Sequence, residues 1–145
     1  MAMIPNEVIT AARAAWHKWK VPASVSLAQW IVESGWGAHE PDGSNNPFGI
    51  KAVAGQPHVD ARTHEFTHGR YVPITAHFAK FASVADAFDA HAKLLATRAA
   101  YRPSMQAKTA EDFAERLTRV YATDPTYGHK LVALMRDHGL EKYDA

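Results

Sequence analysis

The chain has 145 residues, enough for one domain with a real core, and its 47% hydrophobic and 21% charged content is an ordinary globular profile. A formal net charge of +1 gives no electrostatic ground for a nucleic-acid partner, and the lack of cysteine excludes a disulfide framework and a thiolate metal site. No stretch reaches the length of a membrane span, and the N-terminus lacks the basic and apolar blocks of an export signal.

Residues 4–20 read as a first helix, with Asn6 as N-cap after Pro5 and Val8, Ala11, Ala12, Ala15 and Trp19 on one face. Residues 22–36 read as a second, with Pro22 in its first turn and Ala28, Ile31, Val32 and Gly35 at the spacing of a buried stripe. Gly35 and Gly37 let the chain leave that helix in a left-handed conformation. One acid, Glu33, stands at this apolar helix end. A helix C-terminus disfavours negative charge, and Ile31, Val32 and Trp36 would desolvate the carboxylate; both effects raise its pKa. A carboxyl protonated near neutral pH is suited to general-acid chemistry.

Residues 38–46 form a polar loop in which Asn45 and Asn46 serve either as turn residues or to orient a ligand near Glu33. From residue 55 to 81 helical periodicity gives way to Thr63, Phe66, Tyr71, Val72 and Ile74, which favour a β-hairpin turning at Gly69. Pro73 restricts the second arm to an edge or a bulge, and Glu65 rides on the first. Residues 83–97 read as a helix capped by Ser83, with Val84, Ala87, Phe88, His91, Leu94 and Leu95 inward and His91 a hydrogen-bonded core histidine. A connector follows, broken at Pro103. A helix over 109–121, capped by Thr109, turns Phe113, Ala114, Leu117 and Tyr121 inward. Asp124 and Pro125 open a last helix carrying Tyr127, Leu131, Leu134 and Met135, which Gly139 ends. With no repeats and no long linker, residues 1–145 form a single domain.

Two constellations carry chemistry. Glu33 on a helix and Glu65 on a hairpin could face each other across a groove, the arrangement that glycosidic hydrolysis needs: one group to protonate the leaving oxygen and one to attack or stabilise the cationic sugar. His64-Glu65-Phe66-Thr67-His68 also matches the zinc-peptidase pattern H-E-x-x-H. That pattern works on a helix. In a strand, His64 and His68 would stand about 13 Å apart, too far for one zinc. Nine histidines make a chance match easy, and below about pH 6.5 they would favour approach to an anionic polymer.

SLAQWIVESGWG, SNNPFGIKA, THEF, FAKFASVADAFDAHAKLL and YATDPTYGHKLVALM occur in this order over about residues 5–140. Together they resemble the successive motifs of glycoside hydrolase family 73, the peptidoglycan N-acetylglucosaminidase domains of bacterial autolysins, flagellar rod-cap hydrolases and phage lysins. The resemblance implies an α+β, mainly α fold: a lysozyme-like helical body with a small β-hairpin forming one side of a substrate groove. It places Glu33 on the catalytic acid, Glu65 on the second acidic position and Tyr121 on an active-site tyrosine. Asn46 and Phe48 fall in the motif bordering the groove, and Trp36 and Tyr127 are expected to complete the substrate contacts. The position before Glu65 is often a large aromatic in the family, and here it is His64.

The implied activity is endo-N-acetylglucosaminidase cleavage of peptidoglycan glycan strands by a monomer, without metal, cofactor, nucleic acid or membrane insertion. An N-acetylmuramidase or lytic transglycosylase is the alternative on the same fold. A catalytically silent wall-binding module, or a zinc peptidase using His64, Glu65 and His68, is the alternative of another class. Without an export signal, the chain suits a phage endolysin reaching the wall from the host cytoplasm, or a domain excised from a larger secreted protein.

Overall fold

The second helix is the centre of the molecule. In the computed structural model, which describes residues 3–145 apart from the Phe66 side chain, α1 spans Asn6–Trp19 and α2 spans Ala23–Ser34. Ten of the twelve residues of α2 are buried, all but Val32 and Glu33 in its last turn, so its burial extends well beyond one stripe. Of the expected stripe, Ala28 and Ile31 are buried, but Val32 is 41% exposed. Val21, Val25, Leu27 and Ala28 join Leu95, Leu117, Leu131 and Met135 in one core. Each fully buried aliphatic chain contributes about 1.5–3 kcal/mol.

A helix buried this deeply needs partners for its N-terminal N–H groups. Pro22 is its N-cap rather than its first residue and offers no side-chain cap. The cap comes from the far end of the chain. The Asp144 carboxylate accepts from the Ser24 backbone N–H at 2.8 Å and from the Ser24 hydroxyl at 2.6 Å. Asp144 lies in a 3₁₀ turn, Leu140–Asp144, whose Leu140 is buried in the core. A carboxylate at a helix N-terminus is favoured electrostatically as well as by hydrogen bonding. On α1, Pro5 and not Asn6 takes the N-cap position, and no side chain caps it. Trp16 and Trp19 pack against the core with their indole N–H groups bonded to Asp144 O at 3.0 Å and Asp89 Oδ1 at 2.8 Å.

Strands β1 (His58–Thr67) and β2 (Arg70–Ala79) form an antiparallel hairpin with Thr67 opposite Arg70. His68 and Gly69 make the two-residue turn, both with positive φ, as the primed hairpin turns require. Pro73 sits in regular register opposite His64 without a bulge; in a two-stranded sheet its missing N–H interrupts nothing. A lone hairpin is marginal in water, and this one is tied down at its base. Ala52 N–H bonds to His77 O at 2.9 Å, Ala79 N–H to Ile50 O at 2.9 Å, and Phe81 N–H to Ser44 O at 2.8 Å.

Helix α3 (Val84–Thr97) begins as expected, with the Ser83 hydroxyl accepting from Asp86 N–H at 3.2 Å. Pro103 does not break structure; it occupies the first turn of a short helix, α4 (Arg102–Met105). Helix α5 is Ala110–Glu115 only, not the longer helix expected. Thr109 caps it, but the chain then turns back on itself, with Arg119 left-handed and Thr118 bridging to Ala122. At this point the last helix makes a close approach that only glycine permits. A Cβ on Gly128 of α6 (Tyr127–Asp137) would stand 2.6 Å from Glu115 Cα and 2.6 Å from Thr118 Oγ1. Asp124 does not cap α6 directly; it closes a turn by accepting from Thr126 N–H at 2.8 Å, and Thr126 is the N-cap. The tight α5–α6 junction brings Tyr121 and Tyr127 side by side.

Candidate active site

Glu33 is the next-to-last residue of α2, where the helix ends at Gly35 in the left-handed region. Trp36 and Gly37 also have positive φ, so three consecutive residues reverse the chain. The Ser34 hydroxyl staples that reversal, donating to Trp30 O at 2.5 Å and accepting from Gly37 N–H at 2.8 Å. The reversal brings His39 back over Gly35, whose added Cβ would stand 2.5 Å from the His39 ring. Glu33 and His39 thereby share a cavity of about 280 Å³ with Asn46, Gly49, Ala61, Thr63 and Phe78. One wall is the helix exit and its loop; the other is the hairpin.

The Glu33 carboxylate is open to solvent on one side and backed by packed protein on the other. Its pKa is raised, first by desolvation; a hydrogen bond from Tyr127 opposes this. Tyr127, only 3% exposed, donates its hydroxyl to Glu33 Oε1 at 3.0 Å and accepts from Gln29 Nε2 at 3.1 Å. Gln29, Tyr127 and Glu33 thus form a chain of hydrogen bonds that fixes the carboxyl. Tyr121 stacks on Tyr127 with ring centroids 5.7 Å apart. Burial, and then the nearby Glu33 charge, push the Tyr121 hydroxyl well above its ordinary range. It makes no hydrogen bond among the described residues. The sequence argument assigned the desolvation of Glu33 to Ile31, Val32 and Trp36. Val32 is exposed, and Trp36 turns away to line a separate cavity of about 380 Å³ beside Ile4, Ile9 and His138. The residue that touches the carboxyl is Tyr127 of the α5–α6 junction.

Phe48 is 5% exposed and stacks on His91 at 4.0 Å, so it belongs to the core behind the groove. Asn46 is fully buried, and its side chain is spent on backbone: Nδ2 donates to Ile50 O at 2.9 Å and Ala79 O at 3.0 Å, and Oδ1 accepts from Ile50 N–H at 3.2 Å. It joins the loop to the base of β2. His91 is buried as expected but not hydrogen-bonded: neither ring nitrogen has a partner among the described residues, and burial lowers its pKa to about 3.

Glu65 pairs with Val72 near the hairpin tip and is exposed. Strand alternation puts it on the same face as Ala61 and Thr63, which line the cavity, and opposite to His64. The H-E-x-x-H match therefore makes no zinc site, since His64 and Glu65 point to opposite faces and His68 lies in the turn. A larger hollow of about 420 Å³ between α5 and α6 lies elsewhere, and its charged groups are already paired, Arg136 with Glu111 and His129 with Glu115, both at 2.6 Å.

Tyr127 is buried on the inward face of the last helix as the spacing predicts, but its hydrogen bond to Glu33, and the places of His39 and Gln29, were not legible in the sequence. The signal that points to His39 is the pair of glycines that fold the chain back; nothing local points to Gln29.

A glucosaminidase family model, described as mannosyl-glycoprotein endo-beta-N-acetylglucosaminidase, matches residues 9–140. The exo-glucosaminidase LytG of Bacillus subtilis is 34% identical over 136 residues, covering 89% of this chain and 48% of LytG. The peptidoglycan hydrolase FlgJ of Salmonella typhimurium is 34% identical over 133 residues, covering 86% of this chain and 42% of FlgJ. The chain thus spans less than half the length of these two relatives. The crystal structure of the catalytic domain of the autolysin Auto from Listeria monocytogenes superposes with a TM-score of 0.84 at 30% identity, covering 99% of this chain and 91% of that one. With a helical body, one hairpin, a desolvated carboxyl between them and a family match over nearly the whole length, the chain belongs to the glucosaminidase family, glycoside hydrolase family 73.

Proposed function

We propose that this chain hydrolyses the β-1,4 glycan strand of peptidoglycan as an endo-N-acetylglucosaminidase, with Glu33 as the proton donor to the leaving oxygen. The observation that carries the reading is the state of Glu33: desolvated, raised in pKa, held by Tyr127 and open to a cavity on its free side. Glu65, on the groove face of the hairpin, activates water or stabilises the oxocarbenium-like transition state. Tyr121 has a free hydroxyl beside Glu33 and positions the sugar or its acetamido group. Tyr127 is a positioning residue acting through Glu33, and Asn46 and Phe48 hold the groove wall. Trp36 contributes by fixing the helix exit. The chain acts on the cell wall as a monomer; among the described residues no helix is long and apolar enough to cross a membrane.

Mass spectrometry of muropeptides after digestion and borohydride reduction tests the reading. Reduced N-acetylglucosamine ends support it. Reduced muramic ends would make the chain a muramidase, anhydro ends a lytic transglycosylase, and no new ends a silent binding module.

A further inference from the structure

The outer face of the hairpin, opposite to Glu65, carries a cluster that the glycosidase reading does not use. His58 and Asp60 stand two residues apart on β1, and His77 is the cross-strand partner of Asp60 on β2, so all three side chains emerge on one face. One ligand atom from each lies within 4.8 Å of the others. We propose that His58, Asp60 and His77 form a binding site for a divalent first-row transition ion, Zn²⁺ being the ion best suited, which cross-links β1 and β2 at the base of the hairpin.

The donor arrangement supports this. His58 Nδ1 lies 3.3 Å from Gln56 O, and a carbonyl only accepts. In the neutral ring this contact puts the proton on Nδ1 and leaves the lone pair on Nε2, which lies 3.6 Å from Asp60 Oδ1. A metal-binding histidine has its other nitrogen fixed in this way by a carbonyl. His77 Nδ1 lies 2.5 Å from the same carboxylate oxygen, a hydrogen bond whose proton passes to solvent when the ion binds, and the two imidazole rings meet edge to face with centroids 4.9 Å apart. Zinc bonds of about 2.0–2.2 Å at tetrahedral angles place ligand atoms roughly 3.3 Å from one another, within reach of small side-chain rotations here. Two imidazoles and one carboxylate favour Zn²⁺ over Mg²⁺ or Ca²⁺, which prefer all-oxygen sites. The backbone beneath is held, since His77 O accepts from Ala52 N–H at 2.9 Å and Pro57 O accepts from Lys80 N–H at 2.9 Å. All three residues are exposed, so an ion can enter and a water completes its coordination. The site faces away from the Glu33 cavity and is independent of the H-E-x-x-H match.

The test is titration of the metal-free full chain with ZnCl₂, followed by calorimetry and by histidine ring resonances. Saturable binding of one equivalent is expected, with the His58 and His77 resonances moving and the thermal midpoint rising with zinc. His58→Ala and His77→Ala should each weaken binding by about tenfold or more while keeping the zinc-free melting profile. A His64→Ala/His68→Ala double variant should bind as the parent does. Absence of saturable binding up to millimolar zinc, unchanged binding in His77→Ala, or loss of binding in the His64→Ala/His68→Ala variant would each overturn the site.

Discussion

The two carboxylates proposed for catalysis sit in opposite kinds of structure. Glu33 ends a helix in which ten of twelve residues are buried, and its carboxyl is held by a hydrogen-bond chain through Tyr127 to Gln29. Glu65 lies near the tip of a two-stranded hairpin whose backbone hydrogen bonds to the body, among the described residues, are at the other end, around Ser44, Ile50 and Ala52. A hairpin end remote from its base is expected to open locally at lower cost than the α2–α6 junction, whose residues lie in the core. The difference separates two tasks. The proton donor must have its pKa set before substrate arrives, which requires a packed environment. The second acid needs to meet the sugar only once the strand is bound, and a hairpin hinged at its base can close on it.

Glu33→Gln attacks the prebuilt half and carries the largest expected effect. It should lower the initial rate on peptidoglycan by about 10²–10⁴-fold with the circular dichroism spectrum unchanged, since it keeps shape while removing the proton. Activity within a few-fold of the parent would remove Glu33 from the mechanism. Glu65→Gln should cost less, about 10²-fold or below, because water or the substrate acetamido group can partly take over its task. Equal loss in the two variants, measured on one peptidoglycan preparation, would erase the contrast.

Tyr127→Phe sharpens the comparison within the packed half. It removes the hydrogen bond that lowers the Glu33 pKa, so the carboxyl should titrate higher and the alkaline fall of activity should move to higher pH. The rate at the optimum should drop by up to about tenfold from lost orientation, as one net hydrogen bond is about 0.5–1.5 kcal/mol. An unmoved alkaline limb would argue against a link from Tyr127 to the proton donor.

The smallest effect on rate, and one read on stability, concerns His91. Its pKa is near 3 in the folded chain and near 6.5 when exposed, so folding favours the neutral ring. The stability this supports is present in full above about pH 6.5 and is lost as pH falls toward 3. Between pH 7 and pH 5 the loss should reach about 2 kcal/mol. His91→Phe, which keeps the stack on Phe48, should flatten the dependence of the melting midpoint on pH relative to the parent. Parallel pH profiles for the two chains would contradict the account.

Most of the body was legible in the sequence because its signals are local: the Ser83 and Thr109 caps, the faces of α1 and α3, and the turn at Gly69. What was not legible is set by residues distant in the chain. The cap of α2 is Asp144, 120 residues from Ser24. The early end of α5 and the close seating of Gly128 against Glu115 and Thr118 leave no mark in the helical periodicity. Glu33 could be picked out as an odd acid on an apolar helix, but the source of its desolvation could not. The spacing points to Val32, which is exposed, and Trp36, which lines another cavity, whereas the tyrosine bonded to Glu33 comes from the other end of the chain. His91 shows the reverse limit: helical spacing places it inside, yet only the packed structure shows that nothing there satisfies its ring.

The central claim is that the surroundings of Glu33 raise the pKa of its carboxyl above the ordinary range. It is tested most directly by following the side-chain carboxyl carbon resonance of Glu33 through a pH titration of the folded protein, assigned by its absence in Glu33→Gln. The account predicts a midpoint clearly above the ordinary glutamate value of 4.5. A midpoint at or below 4.5 would mean that the carboxyl is ionised wherever the enzyme works, and the assignment of Glu33 as proton donor would be wrong.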